Sequence, residues 1–285
     1  MAITTLGIVG SGIMGSGIAE VAAKAGVDVI LRSRQQASAD AMVASLEKSL
    51  AKQVERGKLE ETAAKEIGAR VTATDDLHAL HDCDLVLESV VEDLAVKKEL
   101  FTRLDDIVKA EGILATNTST LPVVEMAIAT ERPSQVVGIH FFNPAPMMSL
   151  VEVIRPLTAS DDAVEAAKAF ATSCGKDVVE VKDRAGIIVN ALLFPYLNNA
   201  VRMLESGTAS RDDIDTAMKG GCNFPMGPLA LLDLVGLDTS LSILDALYEE
   251  FKDPNYAALP LLRRMVAAGQ LGRKSGAGFF DYSKK

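Results

Sequence analysis

The chain has 285 residues, 48% of them apolar and 24% charged, with 21 glycines and 10 prolines. At ~150 residues per domain that is enough for two domains with sizeable cores, and it excludes disordered and fibrous classes. The 39 acidic against 29 basic residues give a formal net charge of −10, a field that repels phosphate backbones and anionic lipid surfaces, so nucleic acid and membrane are not expected partners.

The uncharged run from Met1 to Ala19 has no basic leader and is broken by five glycines, so it is not read as a signal peptide. Cys83, Cys174 and Cys222 lie far apart in no ligand pattern. They suit a reducing cytoplasm and imply neither a disulfide framework nor a metal site. The first strand, Thr4 to Val9, runs into Gly10-Ser11-Gly12-Ile13-Met14-Gly15, which opens a helix over Ile13 to Lys24. Gly10 permits the tight turn, Gly12 lets a pyrophosphate approach the backbone, and Gly15 lets helix and strand pack closely. The helix N-terminus then offers free N–H groups and a positive dipole end to a dinucleotide such as NAD(P). The bland alternative is a glycine-rich turn without a ligand.

The second strand, Val27 to Arg32, ends where a carboxylate ordinarily takes the adenosine ribose hydroxyls. Asp28 begins that strand, and the slot falls on Ser33 between Arg32 and Arg34. A carboxylate there would repel a 2′-phosphate, whereas a hydroxyl between two guanidinium groups can bind one, so NADP(H) preference is expected. A solvated basic turn in an NAD enzyme is the alternative. Residues 37–67 are too long for one crossover and are interrupted by Gly57, which reads as a projecting helical hairpin. On it Lys48, Lys52 and Arg56 repeat every four residues as one basic face, with Glu47 and Glu55 nearby.

Further strands are expected at Arg70 to Ala73, Leu85 to Ser89, Ile113 to Thr116, Val136 to His140, Leu150 to Ile154 and Val178 to Lys182. Helical spacing over Val96 to Val108 and Ala163 to Ser173 completes a strand–helix alternation, the pattern of a largely parallel sheet covered on both faces. Of three histidines, His78 and His81 lie in a polar stretch and are expected to be exposed. His140 ends a strand and precedes Phe141-Phe142-Asn143-Pro144, where it can face a cleft at the carboxyl edge of the sheet. Imidazole, with a reference pKa of ~6.5, suits exchange of a hydroxyl proton beside a hydride transfer. Glu152 sits in an otherwise apolar strand, where an unpaired carboxylate is costly, so a partner is expected nearby.

After Arg184 the strands stop, and helices separated by turn clusters follow. The uncharged run Ala185 to Val201 carries Asn190, Asn198, Asn199 and Pro195 and reads as a buried helix rather than a membrane span. The fold expected is α/β: a Rossmann-type doubly wound dinucleotide-binding domain over residues 1–184, then an all-α substrate and dimerisation domain over 185–285. Apolar stretches at Leu229 to Val235 and Leu241 to Leu247 suggest a homodimer through that second domain.

Six segments resemble the 3-hydroxyacyl-CoA dehydrogenase family, especially its short-chain bacterial 3-hydroxybutyryl-CoA branch: Gly10 to Ala19, Ala115 to Ser119, His140 to Pro146, Leu150 to Ile154, Pro225 to Leu229 and Leu271 to Gly276. The likeness spans essentially the whole chain in order and spacing. It implies an NAD(P)-dependent enzyme interconverting a (3S)-hydroxyacyl-CoA and its 3-oxo form, with acetoacetyl-CoA as the oxidised substrate. By the same likeness His140 is the general acid/base and Glu152 holds and polarises it. Ser119 and Asn190 bind the 3-oxygen and thioester region, which would place the site at the domain junction. Ser119 also reads as the N-cap of a helix over Leu121 to Ala129, and Asn190 as a satisfied core amide. Glu92, Lys97, Ser119, Asn143 and Lys274 fall at nicotinamide-cofactor contacts; the bland alternatives for Glu92 and Lys97 are an exposed helix-start carboxylate and a solvated lysine. Lys48, Lys52 and Arg56, with the Ser49 hydroxyl, become a grip on coenzyme A phosphates instead of a solvated face. Two departures stand out: the family commonly has Asp at the place of Ser33, and a histidine at the place of Phe224. The rivals are a two-domain dehydrogenase of a free β-hydroxy acid or imine, and a non-catalytic dinucleotide-binding protein.

Overall fold

A computed structural model describes residues 2–283; Met1, Lys284 and Lys285, the outer ends of the two expected domains, lie outside the described residues. The chain divides after Arg184 into two compact units.

The first unit is built on eight strands: β1 (Thr5–Val9), β2 (Asp28–Arg32), β3 (Val71–Thr74), β4 (Leu85–Glu88), β5 (Ile113–Thr116), β6 (Val136–Phe141), β7 (Leu150–Arg155) and β8 (Asp177–Lys182). They lie in the order β3-β2-β1-β4-β5-β6-β7-β8. All neighbours are parallel except β6 and β7, which run antiparallel. The first six have the doubly wound Rossmann order, with its reversal between β1 and β4. Strands β4, β5 and β6 are buried at every residue, which is why they read as continuous apolar runs rather than alternating ones. The polar exceptions in these buried strands and in β7, Glu88, Thr116, His140 and Glu152, each need an internal partner.

Helix α1 (Ile13–Lys24) buries Ile18, Ala19, Val21, Ala22 and Ala23. The hairpin is α2 (Gln36–Glu55) and α3 (Glu61–Ala69), with Gly57 at φ +65° between them. It is anchored rather than free-standing, because Met42, Leu46 and Leu50, spaced four apart on α2, join the main core cluster with α1. The remaining helices of this unit are α4 (Leu94–Ile107), α5 (Val123–Ala127) and α6 (Asp161–Ser173). Helix α5 is shorter than the sequence suggests and begins after Pro122. Its first amides, on Val123 and Val124, donate to the Asp183 carboxylate at 3.0 and 2.8 Å. A long-range cap has displaced the local one, so Ser119 is not the N-cap.

The second unit holds α7 (Val189–Glu205), α8 (Arg211–Cys222), α9 (Pro228–Val235), α10 (Leu237–Phe251) and α11 (Pro260–Ala267). Phe194, Leu197, Leu229, Leu232, Leu244 and Leu247 are among its core residues. Two buried carboxylates tie its segments together. Asp215 on α8 accepts from Leu229 N and Ala230 N at the start of α9, at 2.9 and 3.0 Å. Asp233 accepts from Phe279 N, Phe280 N and the Tyr282 hydroxyl. Among the described residues no helix is long and apolar enough to cross a membrane; Asn198, buried in α7, accepts from Leu259 N and donates to Ala257 O.

Candidate active site

At the carboxyl end of β1 the backbone itself forms a cradle. Gly10 has φ +140°, and a Cβ there would lie 2.1 Å from Ser89 O, so no other residue fits. A Cβ on Gly15 would lie 2.9 Å from Gly10 O and 3.0 Å from Met42 Cε, whereas Gly12 has nothing within 4 Å. Two glycines permit close packing and the third leaves open space. Gly12 is also the N-cap of α1 and offers no side-chain cap, leaving the first N–H groups directed at that space. These features fit a diphosphate. Beside them is a cavity of about 300 Å³ lined by Gly12, Met14, Glu92, Lys97, Asn117 and Asn143 among others. It lies at the sheet reversal, where ligands of doubly wound folds bind.

Lys97 is 1% exposed, so it is not a solvated lysine. Its ammonium meets both oxygens of the fully buried Glu88 at 2.9 Å, and Glu92 Oε2 at 2.9 Å. Glu88 also accepts from Thr116 Oγ1 at 2.7 Å and from Val90 N. Glu92 is exposed yet accepts from the Thr118 and Thr120 hydroxyls; Asp93, not Glu92, caps α4. Burial would raise the Glu92 pKa, but the Lys97 charge and these hydrogen bonds outweigh it and hold the group below the ordinary carboxylate range.

The proton-handling pair arises from strand register. β6 and β7 pair antiparallel with His140 opposite Glu152, which places both side chains on the same face of the sheet. His140 Nδ1 lies 2.8 Å from Glu152 Oε2, with Glu152 0% and His140 7% exposed. The Phe142 ring packs 4.5 Å from the imidazole. The turn after β6 includes a cis Asn143–Pro144 bond. Asn117 Oδ1 accepts from Phe141 N at 2.8 Å, joining the ends of β5 and β6. Ser119, half-buried, follows β5 at the same carboxyl edge.

At the far end of the cradle Ser33 is buried, Arg32 half-buried and Arg34 exposed. Arg32 donates from Nε to Asp75 O at 3.3 Å. Burial, followed by the like charges of Arg103 on α4 and Arg34, pulls the Arg32 pKa down, while Asp75 and Asp76 oppose them. At 5% exposure, Ser33 is no docking hydroxyl; what it supplies is the absence of a carboxylate.

The basic face of α2 is exposed, and Lys48, Lys52 and Arg56 form no ion pair among the described residues. Ser49 is engaged elsewhere: its hydroxyl donates to Glu20 Oε2 at 2.8 Å. Glu20, 3% exposed, also takes Lys24 and Gln53, so this missed residue ties α1 to α2. A cleft of about 480 Å³ between these helices is lined by Ser16, Glu20, Ser38, Ser45 and Ser49 among others.

In the second unit Asn190 is half-buried near the start of α7, and Lys274 is ion-paired to Asp238 at 2.6 Å. Phe224 stacks edge-on to Tyr196. Sequence reasoning also missed Glu88 and Asn117. Glu88 carried the same signal as Glu152, a carboxylate ending an apolar strand; Asn117 carried none apart from its place in the Ala115 to Ser119 segment.

Comparison with known proteins agrees along the whole chain. Residues 5–184 match the family model described as 3-hydroxyacyl-CoA dehydrogenase, NAD binding domain, and residues 186–282 match 3-hydroxyacyl-CoA dehydrogenase, C-terminal domain. The chain is 49% identical over 283 residues to a 3-hydroxybutyryl-CoA dehydrogenase of Mycobacterium tuberculosis, covering 99% of each. It is 47% identical over 279 residues to that of Clostridioides difficile, covering 98% of this chain and 99% of the other. The crystal structure of (S)-3-hydroxybutyryl-CoA dehydrogenase PaaH1 from Ralstonia eutropha superposes with a TM-score of 0.96 at 41% identity, covering 99% of this chain and 100% of that one.

Proposed function

The chain belongs to the 3-hydroxyacyl-CoA dehydrogenase family, and from that premise we propose that His140 is the acid/base of its reaction. The protein is an oxidoreductase that interconverts (3S)-3-hydroxyacyl-CoA and 3-oxoacyl-CoA, with 3-hydroxybutyryl-CoA and acetoacetyl-CoA as the pair its relatives' names point to. Its NAD-binding domain takes a nicotinamide dinucleotide, which when bound supplies or accepts the hydride at C3. The observation that carries the proton assignment is the 2.8 Å bond between His140 Nδ1 and the fully buried Glu152. That bond fixes the ring orientation and leaves Nε2 to give a proton to the substrate oxygen in reduction and to take it back in oxidation. Ser119 donates to the oxygen as negative charge builds on it, and Asn190 holds the thioester region. Because reduction of the ketone consumes a proton and oxidation of the alcohol releases one, rising pH disfavours the first and favours the second. His140→Ala and Glu152→Gln are expected to lower kcat by at least 100-fold while changing cofactor Kd less than threefold, on the usual ~10²–10⁴ worth of acid–base catalysis. Near-native turnover in either variant would overturn that residue's role.

For the cofactor, the finer reading is a preference for NADP(H). It is supported by Arg32 and Arg34 flanking the slot, by the like charge of Arg103 on Arg32, and by Ser33 in place of a repelling carboxylate. Specificity constants with NADH and NADPH test it, and a tenfold preference for NADH refutes it. The exposed Lys48, Lys52 and Arg56 bind the coenzyme A phosphates, with the Ser49 hydroxyl available only if it leaves Glu20.

A further inference from the structure

Glu88 takes no part in proton transfer, yet it is a fully buried carboxylate at the end of the apolar run Leu85-Val86-Leu87. Keeping such a charge out of water requires a counter-charge and hydrogen-bond partners. Compensation is complete in hydrogen bonds, since Glu88 accepts from Lys97, Thr116 and Val90. It is incomplete in charge. The single Lys97 ammonium is shared between Glu88 and Glu92, so two carboxylates face one cation and the cluster carries a net −1. Among the described residues, Glu92 and Lys97 are the only ionisable ones lining the adjoining cavity, so no second cation in its lining balances the surplus. Were neutralising Lys97 the only task, Glu92 alone would suffice.

Resting on the reading of this cavity as the nicotinamide pocket, we propose that the net negative charge of the Glu88–Lys97–Glu92 cluster biases the bound cofactor toward its oxidised form. The oxidised ring carries a positive charge and the reduced ring none, so a net negative cluster that reaches the cavity through Glu92 and Lys97 favours the former. Glu88 is thus a positioning residue for Lys97 and an electrostatic one for the redox equilibrium. With the cofactor bound, the cluster's charge would favour the reductive direction, in which His140 gives up its proton.

The test is binding rather than turnover. Dissociation constants of NADP⁺ and NADPH, with NAD⁺ and NADH in parallel, are measured by calorimetry on the intact protein without substrate. Glu88→Gln keeps the shape and removes the charge. It is expected to weaken the oxidised form relative to the reduced form by about three- to tenfold, the size of one unit charge acting through a partly polar medium. Thr116→Val, which removes a hydrogen bond from Glu88 but not its charge, should leave the ratio within twofold of wild type. Should Glu88→Gln fail to fold, Glu92→Gln removes the same unit of charge from a more exposed position and must move the ratio in the same direction. Equal weakening of both redox forms, or an unchanged ratio, would make Glu88 purely structural and overturn the proposal. If wild-type protein binds neither cofactor pair, the cofactor reading itself falls, and the bias with it.

Discussion

At the scale of single residues, buried ionisable groups mark where this protein deviates from a generic α/β core. Asp84, at the start of β4, shows how much one carboxylate can hold. Burial works against its charge, but Lys109, the Thr4 amide and hydroxyl and the Thr5 amide overcome it and pull its pKa from 3.8 to about 2. A depressed carboxyl pKa stabilises the fold fully above about pH 4, and that contribution is lost as pH falls from there through about 2. Discounted for partial solvation, Asp84→Asn is expected to cost about 1–2 kcal/mol at pH 7 and little at pH 2, read by urea denaturation at both values. The thiols follow the opposite logic. Burial pushes Cys83 up to about 12 and Cys174 to about 11, while Cys222 is exposed. Alkylation of native protein at pH 8 should therefore label Cys222 first and spare Cys83, as peptide mass spectrometry would show; rapid labelling of Cys83 would contradict its burial.

At the scale of elements, two helix starts are satisfied from a distance rather than by their own sequence. Asp183 caps α5 from the end of β8, and Asp215 caps α9 from α8. The second arrangement requires a glycine, because a Cβ on Gly227 would lie 2.2 Å from Asp215 Cγ. Asp215→Ala leaves one buried and one part-buried amide without that partner and is expected to lower stability by about 2–3 kcal/mol, measured by denaturation, with cofactor affinity unchanged. These caps explain why the helix expected over Leu121 to Ala129 was too long. Local spacing reports where a helix can form, while the partner that satisfies its first N–H groups decides where it starts.

At the scale of the whole molecule, the apolar stretches of α9 and α10 argue less for association than their sequence suggests. Leu229, Leu232, Leu237, Leu244 and Leu247 are all consumed in the unit's own core. What remains outside is a different set, including Leu192, Met203, Phe224, Leu234 and Tyr248, and it is this exposed set that supports a homodimer. Light scattering at micromolar concentration is expected to give twice the chain mass, and a monomer there would remove the reading. The net charge of −10 makes any such association depend on apolar contact rather than on long-range attraction.

The glycine loop, the eight strand-forming runs and the family likeness were legible from sequence because each is local: a turn that only glycine fits, or a β-branched run with a fixed period. Strand order, with its reversal beside the cradle, and the antiparallel register that sets His140 opposite Glu152 are not local. Twelve residues of separation say nothing about which side chains face each other until the strands pair. The same holds for Glu88, Lys97 and Thr116, which come from three different elements, and for Glu20 beneath Ser49. The sequence by itself marked the glycine cradle, the strands and, in Glu152, a carboxylate that needs a partner; only tertiary packing decided that Glu20, Glu88 and Lys97 are buried and which groups compensate them, because that depends on distances no linear spacing encodes.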